Sequence, residues 1–521
     1  MGKEITIKKV IIGLLVCTIL IVPLFLNIQA VEKERTNKND ENANDIRNSP
    51  LNGSPIVWTT TFGGRRSDLC WALDITTNEG CILVGETSSF GSGGSEVWLV
   101  KADNNGREEW NKTYGGSRGD FGLDGHQTSD NGFILVGGTS SYGSGDSDIW
   151  LIKTDQMGNE LWNRTFGGAD LDVGYAVKQV SDGGFIICGG TKSYGKGPND
   201  YWVIRTDQNG HELWNITYGT KGYDWGYDII ETRDSGFVFT GGTDTSISGT
   251  HILDIGLIKI NQNGVLQWEK FFNKPPAEKR WDEGYGVIQT ADGGYIIAGV
   301  AHTYGWDGND TGAGWIIKTD TDGKKQWDKT YGGENCDCLC SIQTTTDGGY
   351  ILSGWTHTYD EGNGDMWFMK TDAQGIDQWD MTLGGDEFEW TMFHTVKQTA
   401  DQYYLIAGST ESMGAGGSDI VLVKLGEPSI TIQGDHGFSW VVKNSGEDNL
   451  EDLNWSIQID GLIFLGTDQS GIIDTLPADG EITIGIGGMV LGFGPMTIRV
   501  TVGCIGKTLN CFLLGYFIIM E

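Results

Sequence analysis

The sequence predicts an all-β protein: a seven-bladed β-propeller closed by an N-terminal strand and followed by an immunoglobulin-like (Ig-like) β-sandwich. The first observation is a tryptophan that recurs with steps of 52, 52, 52, 54, 59 and 52 residues, at Trp58, Trp110, Trp162, Trp214, Trp268, Trp327 and Trp379. The second is that each step holds short strand-like segments separated by glycine-rich turns. Four strands per unit at this period are typical of propellers. The third is that the repeat stops after Leu425 and a different strand pattern begins.

The third repeat illustrates how one unit gives four strands. Its first alternating segment ends at the turn Ser181-Asp-Gly-Gly184, where glycine allows the positive φ that tight hairpins require. The turn Asp207-Gln-Asn-Gly210 separates the last two segments in the same way. The predicted strands of this unit cover residues 175–180, 185–190, 201–205 and 212–217.

The two ends of the repeat region complement each other. The last repeat lacks a fourth strand after Leu425, whereas residues 56–61 form a fourth-type strand that precedes the first complete repeat. We expect this N-terminal strand to complete the last blade, because ring closure removes an exposed sheet edge. The predicted propeller therefore covers residues 55–427.

The N-terminal residues predict export. Lys3, Lys8 and Lys9 precede an apolar run from Val10 to Ile28. Residues 1–30 are therefore expected to be either a cleaved signal peptide or a retained membrane anchor, and the sequence leaves both open. Residues 31–54 are polar and read as a flexible linker. The expected location is extracellular, either secreted or anchored to the outer face of the cell membrane.

The overall charge limits the classes of partner. The formal net charge is −34, which opposes binding to nucleic acid or to anionic lipid through a general electrostatic field. Contact with a membrane is therefore expected only through the N-terminal segment, and the expected partners are a surface polysaccharide or a protein. We expect the body of the protein to be monomeric.

Two recurring segments resemble a known superfamily. They are Lys153-Thr-Asp-Gln-Met-Gly-Asn-Glu-Leu-Trp162 and Asp292-Gly-Gly-Tyr-Ile296. Residues 56–425 resemble the quinoprotein-like propellers, and in particular exported prokaryotic repeat proteins. The resemblance implies a fold and little about function, because propellers carry many activities. Quinone-dependent dehydrogenases of that superfamily have an adjacent Cys-Cys pair, which this sequence lacks, so no quinone cofactor is expected.

The segment 428–521 has its own pattern. Strand-like stretches cover residues 438–443, 454–460, 482–486, 496–502 and 511–519. Short strands at this spacing predict an Ig-like sandwich. The stretch from Phe438 to Gly446 resembles a strand of the Ig-like modules found on microbial, especially archaeal, surface proteins. The apolar stretch 512–520 is too short to span a membrane.

An acidic residue follows each recurring tryptophan and precedes the first strand of its unit. These residues are Asp68, Asp120, Asp172, Asp224, Asp282, Asp337 and Glu389. If the first strands are innermost, the acids form a ring at one mouth of the central channel. With neighbouring aromatic rings they predict a ligand site at Asp224, Trp225, Trp281, Asp282, Asp337, Glu389 and Trp390. The alternatives are that the carboxylates cap N–H groups of their own loops and that the rings pack between blades.

Other side chains suggest cation binding or cross-linking. Asp307 with Asp310 and Asp320 with Asp322 offer oxygen ligands close in sequence, so Ca²⁺ is the cofactor to expect if one is bound. Cys504 and Cys511 flank a short turn and could form a disulfide across a hairpin. On a strand Cys336, Cys338 and Cys340 share one face, either as a soft-metal site or as small apolar fillers, and the sequence leaves their role open.

These observations predict an exported or cell-surface binding and adhesion protein that recognises carbohydrate or another surface polymer. One alternative is a polysaccharide-active enzyme similar to glycoside hydrolases, which would use two of the ring carboxylates. Another is a passive structural component of the cell envelope. The sequence contains no Ser-His-Asp order, P-loop or zinc-protease motif, and enzyme activity is not the favoured interpretation.

Overall fold

The computed structural model describes most of the chain from residue 55 onward. The described ranges are 55–246, 252–274, 281–303, 311–333, 335–359, 363–434, 439–465, 468–486, 490–515 and 517–520. Within them, only the backbone is described for 460–465, 491–495 and 508–520. The predicted targeting segment 1–30 and linker 31–54 lie outside these ranges. No helix in the described part of the chain is long and apolar enough to cross a membrane.

All regular elements of the described ranges are strands, and the first group forms six similar antiparallel sheets. Sheet 1 contains β2 Asp68–Ile75, β3 Cys81–Thr87, β4 Glu96–Ala102 and β5 Glu108–Tyr114. Sheet 2 contains β6 Asp120–Gln127, β7 Phe133–Thr139, β8 Asp148–Thr154 and β9 Glu160–Phe166. Sheet 3 contains β10 Asp172–Gln179, β11 Phe185–Thr191, β12 Asp200–Thr206 and β13 Glu212–Tyr218.

The next three sheets repeat this order of four consecutive strands. Sheet 4 contains β14 Asp224–Glu231, β15 Phe237–Asp244, β16 Leu253–Ile260 and β17 Leu266–Phe272. Sheet 5 contains β18 Glu283–Gln289, β19 Tyr295–Thr303, β20 Thr311–Thr319 and β21 Lys325–Tyr331. Sheet 6 begins with β22 Asp337–Thr344, β23 Tyr350–Thr356, β24 Asp365–Thr371 and β25 Asp377–Leu383. Successive four-stranded antiparallel sheets of this kind are the architecture of a β-propeller.

Sheet 7 joins the two ends of the repeat region. It contains β1 Ile56–Phe62 with β26 Glu389–Trp390, β27 Val396–Gln398, β28 Tyr404–Thr410 and β29 Asp419–Leu425. Strand β1 pairs antiparallel with β29, from Ile56 opposite Leu425 to Phe62 opposite Ile420. The N-terminal strand therefore closes the last sheet, as the sequence predicts.

Burial follows strand position within each sheet. In sheet 2 the second and third strands, β7 and β8, are buried at every position, whereas the outermost strand β9 is exposed or half-buried. A continuous apolar run in the middle strands and alternation at the edge are what sheets covered on both faces require. In the second strand of sheet 2 a Cβ on Gly137 would lie 1.9 Å from the Phe121 carbonyl oxygen. Only glycine fits at this close approach to the inner strand.

The recurring tryptophan connects neighbouring sheets. Trp110 on β5 lies under the turn of the next unit, where a Cβ on Gly158 would meet its ring at 2.7 Å. Gly158 has a φ of +71°, which suits glycine. The same contact joins Trp162 to Gly210. The turn glycine of one unit and the tryptophan of the preceding unit therefore recur because they pack together between adjacent sheets.

The C-terminal strands form two groups. β30 Ile430–Gly434, β31 Ser439–Asn444 and β34 Glu481–Gly485 make a three-stranded sheet. β32 Leu450–Leu465, β33 Gln469–Leu476, β35 Leu491–Val502, β36 Ile505–Gly515 and β37 Phe517–Met520 continue sheet 6. The continuation runs through a single pairing of Asp380 with Gly506. The Ig-like arrangement predicted for residues 428–521 stays a prediction.

The C-terminal segment shares a core with the repeat region. Buried Trp440 and Ile457 belong to the same apolar cluster as Phe368 and Val423 of sheets 6 and 7. Arg499 Nη1 donates to Asp380 Oδ2 at 2.8 Å, and both side chains are buried. Residues Asn48–Glu521 accordingly form one compact unit.

The predicted Cys504–Cys511 disulfide is wrong in this strand register. Val502 pairs with Ile505, so Cys504 lies in the turn, whereas Cys511 pairs with Met496 far along the hairpin. A strand rises about 3.3 Å per residue, which places the two Cα atoms roughly 20 Å apart. A disulfide requires a Cα separation below about 7 Å.

Candidate functional site

The ring of acids begins the innermost strands, but its carboxylates face into the sheets. Asp120 is fully buried, and its Oδ2 accepts hydrogen bonds from Gly116 N at 2.8 Å and Ser141 Oγ at 2.7 Å. Thr139 Oγ1 donates to its other oxygen. Each carboxylate therefore joins the loop before its strand to the end of the second strand, as a loop-capping aspartate does.

The acids proposed as ligand contacts follow this pattern. Asp224 accepts Thr220 N at 2.7 Å and Asp244 N at 3.1 Å, and burial raises its pKa to about 6. Asp282 accepts His302 N at 3.0 Å, Asp337 accepts Thr358 Oγ1 at 2.6 Å, and Glu389 accepts Ser412 N at 2.9 Å. All four are buried. A ligand at the mouth would reach these oxygens only by breaking the loop contacts, so the hydrogen bonds fit the loop-capping alternative rather than the ligand site predicted at these acids.

The three tryptophans of the predicted ligand site lie apart. Trp225 is buried, packs over Gly190 and meets Tyr175 edge-on with ring centroids 6.0 Å apart. Trp390 is buried and stacks on Phe388 at 4.9 Å. Trp281 is half-buried beside sheet 4, where it bridges to Leu253. Packing between sheets, the alternative raised from the sequence, describes Trp225, which lies against Gly190 and Tyr175 of sheet 3.

The predicted calcium ligands divide into two groups. Asp307 and Asp310 lie outside the described residues. Asp320 Oδ1 accepts the backbone N–H groups of Asp322 at 3.0 Å and Lys324 at 2.8 Å, which is an ordinary turn contact. Within the described ranges, no three histidine, cysteine, aspartate or glutamate side chains are grouped so that they could hold a metal ion. Calcium binding stays a prediction.

The centre of the propeller is closed by an insertion in the innermost strand of sheet 7. The inner position of sheet 7 is held by β26 and β27, and the ten residues from Glu389 to Gln398 correspond to the 8 residues of β6 Asp120–Gln127 in sheet 2. Between β26 and β27 lie Phe393 and His394, which we call the axial plug. Phe393 is buried and has a φ of +38°, an uncommon value for a residue with a side chain.

Phe393 contacts aromatic rings from four different inner strands. Its centroid lies 6.0 Å from Trp71, 5.7 Å from Tyr175, 5.9 Å from Tyr227 and 6.4 Å from Tyr285. These four partners form the aromatic layer. Contacts to sheets 1, 3, 4 and 5 from one side chain place Phe393 on the axis and fill the channel there.

His394 reaches a second layer of charged side chains. Its Nε2 lies 3.5 Å from Asp228 Oδ1 and 3.7 Å from Asp124 Oδ2. Asp124 Oδ2 also lies 3.1 Å from His126 Nε2 and 3.3 Å from Lys178 Nζ. The charged layer thus consists of Asp124, His126, Lys178, Asp228 and His394.

Burial and neighbouring charge act in opposite directions in the charged layer. Burial alone would raise the pKa of Asp124, but the cationic groups beside it, first among them His126, hold that pKa well below its usual range. Burial raises the pKa of Asp228 to about 6 and lowers the pKa of His394 well below its usual value. His394 is therefore neutral. The carboxylates of the layer are balanced by the cationic groups within it.

A buried glutamate borders the aromatic layer. Glu283 accepts hydrogen bonds from Tyr227 Oη at 3.0 Å and Tyr285 Oη at 2.7 Å. Burial raises the pKa of Glu283 to about 8, so its carboxyl is largely protonated at neutral pH. Sequence reasoning missed the axial plug and this carboxyl; the longer interval from Glu389 to Gln398 was the available signal for the plug.

Exposed aromatic rings lie on the edge where the inner strands begin. Phe90, Tyr142 and Tyr194 follow the second strands of sheets 1, 2 and 3 at equivalent places, and we call them the rim row. Their exposed fractions are 41%, 46% and 47%. Each ring packs against a buried tryptophan of the third strand, with centroid distances of 5.3 Å to Trp98, 5.2 Å to Trp150 and 5.3 Å to Trp202.

Each tyrosine of the rim row is held by the packing of its ring and by a hydrogen bond from its hydroxyl group. Tyr142 Oη donates to the Gly115 carbonyl at 2.9 Å, and Tyr194 Oη donates to the Gly167 carbonyl at 2.9 Å. Rigid, half-exposed rings lose little conformational entropy when they bind a ligand. The rim row is therefore a preformed apolar surface that repeats from sheet to sheet.

Comparison with known proteins gives structural likeness only. No family model matches the chain, and no curated protein matches it. The extracellular domain of the hybrid two-component system BT3049 from B. thetaiotaomicron is 11% identical, with a TM-score of 0.39, over 85% of this chain and 55% of that one. The match thus spans about half the length of that extracellular domain. A protein of unknown function from Dyadobacter fermentans is 12% identical with a TM-score of 0.40, over 72% of this chain and 100% of that one.

A third solved structure is viral. The subtype N11 neuraminidase-like protein of A/flat-faced bat/Peru/033/2010 is 12% identical, with a TM-score of 0.34, over 72% of this chain and 95% of that chain. At these identities the function of this chain rests on its own residues.

Proposed function

We propose that this chain is an exported or cell-surface binding protein that recognises carbohydrate or another surface polymer through the rim row. The proposal includes a seven-bladed propeller, one blade for each of sheets 1 to 7, and an Ig-like C-terminal domain. The observation that carries it is the recurrence of half-exposed rings at Phe90, Tyr142 and Tyr194. Flat aromatic rings stack on the apolar faces of sugars.

A repeated surface suits a repeated ligand. The rim-row residues occupy equivalent positions in consecutive sheets, so a chain-like polymer could meet several similar contacts at once. Weak contacts made together give an avidity that a single contact lacks. Exposed serines of the loops beside the rings, such as Ser92 and Ser144, add polar groups that a polar ligand can contact.

The buried carboxylates favour binding over hydrolysis. A glycoside hydrolase places two carboxyl groups on either side of the scissile bond. The ring carboxylates that supplied the candidates are buried and already accept hydrogen bonds inside the sheets, as Asp120 and Asp337 do. The passive structural role remains the competing proposal, because it needs no ligand at the rim row.

The test is binding of the full chain, purified in mild detergent, to a panel of glycans and insoluble polysaccharides. We expect specific retention by at least one polymer, and at least tenfold weaker binding in the double variant Tyr142→Ala/Tyr194→Ala. Phe271→Ala is the matched control, since Phe271 is 41% exposed on the outermost strand of sheet 4, which carries no rim-row residue. Unchanged thermal unfolding confirms that each variant is folded.

Two further arms separate the alternatives. Addition of a chelator tests the predicted calcium ligands, because a bound Ca²⁺ at the loops would make retention sensitive to its removal. Release of soluble sugar from a retained polymer would support the hydrolase instead. Absence of retention across the panel, or equal retention by the double variant, would contradict the rim-row proposal.

A further inference from the structure

Two thiols meet on the inner strand of sheet 6. Cys338 and Cys340 are both fully buried, and their Sγ atoms lie 2.9 Å apart. The register of β22 against β23 is interrupted between Leu339 and Ser341, so Cys340 sits at a bulge. This bulge turns Cys340 toward Cys338, since a bulge redirects the side chain at its position.

A third sulfur approaches from sheet 7. Met392 immediately precedes the axial plug and is buried, and Cys340 Sγ lies 3.8 Å from Met392 Sδ. Three sulfur atoms from two neighbouring inner strands therefore converge. The insertion that places Phe393 on the axis also positions Met392 against Cys340, the thiol that contacts Cys338.

The distances can be compared with those of metal–sulfur coordination. Two metal–sulfur bonds of about 2.3 Å span a 3.8 Å separation at an angle of roughly 110°. Cys340 and Met392 already have that separation. Cys338 Sγ must move away from Cys340 Sγ to reach the same separation. A disulfide would require the opposite movement, because its two sulfur atoms are about 2.05 Å apart.

We propose that Cys338, Cys340 and Met392 form a binding site for a monovalent thiophilic cation, with Cu(I) as the ion that best fits the ligand set. Thiolate and thioether are the protein ligands that select Cu(I), and a thioether contributes little to hard cations such as Ca²⁺ or Mg²⁺. Each thiol that becomes a ligand releases its proton to solvent.

The surroundings suit a soft, low-charge ion. The aromatic layer and Phe393 fill the channel beside sheet 7, so water and oxidants have little access to the three sulfurs. This site is separate from the rim row and does not depend on the proposed function.

The test uses the full chain, reduced under anaerobic conditions, with Cu(I) supplied as its coloured bicinchoninate complex both to the folded protein and during refolding. We expect the protein to remove one equivalent of Cu(I) from the chromophore. Cys338→Ser and Cys340→Ser should each weaken Cu(I) affinity by at least 100-fold. Met392→Leu, which preserves volume and apolarity, should weaken it by about tenfold.

Matched controls make the result specific. Cys188→Ser removes a buried thiol of sheet 3 and should leave Cu(I) uptake unchanged. X-ray absorption of the loaded protein should show sulfur ligands only, with one fewer sulfur in Met392→Leu. If a cysteine variant fails to fold, Met392→Leu together with the absorption spectrum still decides the question.

Three outcomes would overturn the proposal. They are failure to take up Cu(I) in both loading procedures, equal Cu(I) affinity of wild type and Met392→Leu, and peptide mapping that finds Cys338 and Cys340 joined in the anaerobically reduced and loaded protein. Calorimetry should also show that bound Cu(I) raises the unfolding temperature, because an ion that binds only the native state stabilises it.

Discussion

Phe393 lies against Tyr227 with ring centroids 5.9 Å apart and 28° between the ring planes. The two residues come from sheets 7 and 4, on different sides of the propeller axis. Their contact shows that the channel is filled by a side chain that only the seventh inner strand supplies. The axial plug therefore links distant sheets as well as closing the channel.

Phe393→Ala should destabilise the protein by about 3–5 kcal/mol, because it leaves a cavity among buried rings. Chemical denaturation followed by tryptophan fluorescence measures this change. Phe271→Ala serves as the control, since Phe271 is exposed and its loss should cost less than about 0.5 kcal/mol. Equal losses in the two variants would show that Phe393 is not part of the core.

The carboxyl of Glu283 gives stability a pH dependence. Its pKa is raised to about 8 in the folded protein, against an ordinary value of 4.5, so the folded state holds a proton that the unfolded state releases. The resulting stabilisation is complete below about pH 4.5 and is lost as pH rises through 8.

Glu283→Gln should flatten the fall in unfolding temperature between pH 5 and pH 8, because an amide cannot ionise and can still accept a bond from Tyr285. Differential scanning calorimetry across this range, on wild type and variant together, makes the comparison. Parallel curves for the two proteins would rule out a raised pKa at Glu283.

A buried lysine at the end of the third strand pairs with an aspartate in the first hairpin turn of most sheets. In sheet 6, Lys370 Nζ lies 2.7 Å from Asp347 Oδ2; Lys370 is buried and Asp347 is exposed. Asp347→Ala should destabilise the protein by about 1–3 kcal/mol, because it leaves a buried ammonium group without its charge partner.

Lys370→Met should cost less than Asp347→Ala, because it replaces the buried charge with an apolar chain of similar length. Sheet 1 offers a natural control: Asn78 stands at the turn, and Lys101 pairs with Glu109 at 3.1 Å. Asn78→Ala should therefore change the unfolding free energy much less. The opposite ranking of these variants in denaturation curves would contradict the role given to the turn aspartate.

A buried ion pair joins the C-terminal segment to sheet 6, in addition to the shared apolar core. Asp380→Asn should destabilise its attachment by about 3–5 kcal/mol, since the buried guanidinium of Arg499 would lose its charged partner. We expect faster proteolytic cleavage after residue 427, measured by mass spectrometry of the fragments. Asp380→Leu combined with Arg499→Met should recover most of the resistance, and its failure to do so would point to a general packing defect.

The sequence indicated the repeat because the packing that produces it is local. Trp110 must meet the glycine of the next turn, and Gly137 must approach a neighbouring backbone, so both recur at fixed intervals. The closing strand could also be predicted, because the missing fourth strand after Leu425 has its counterpart at Ile56.

The candidate site was harder to predict. Regularly spaced acids such as Asp120 suggested a ring of ligand contacts at the mouth of the channel, yet their hydrogen bonds are made within the sheet. The position of a residue along its strand indicates at which level of the propeller axis it lies. Its hydrogen-bond partners depend instead on the loops that pack over it, which come from distant parts of the chain.

The sequence by itself determined the strands and turns of the repeat region, the repeat and the closing strand, because each depends on periodicity and on the conformational demands of glycine. Only the tertiary structure decided which carboxylates are buried, that Phe393 and His394 fill the channel, and that Met392 meets Cys340. These contacts join residues that are far apart in sequence or that lie in an irregular insertion. Their geometry follows from the arrangement of the sheets around one axis, which no local pattern specifies.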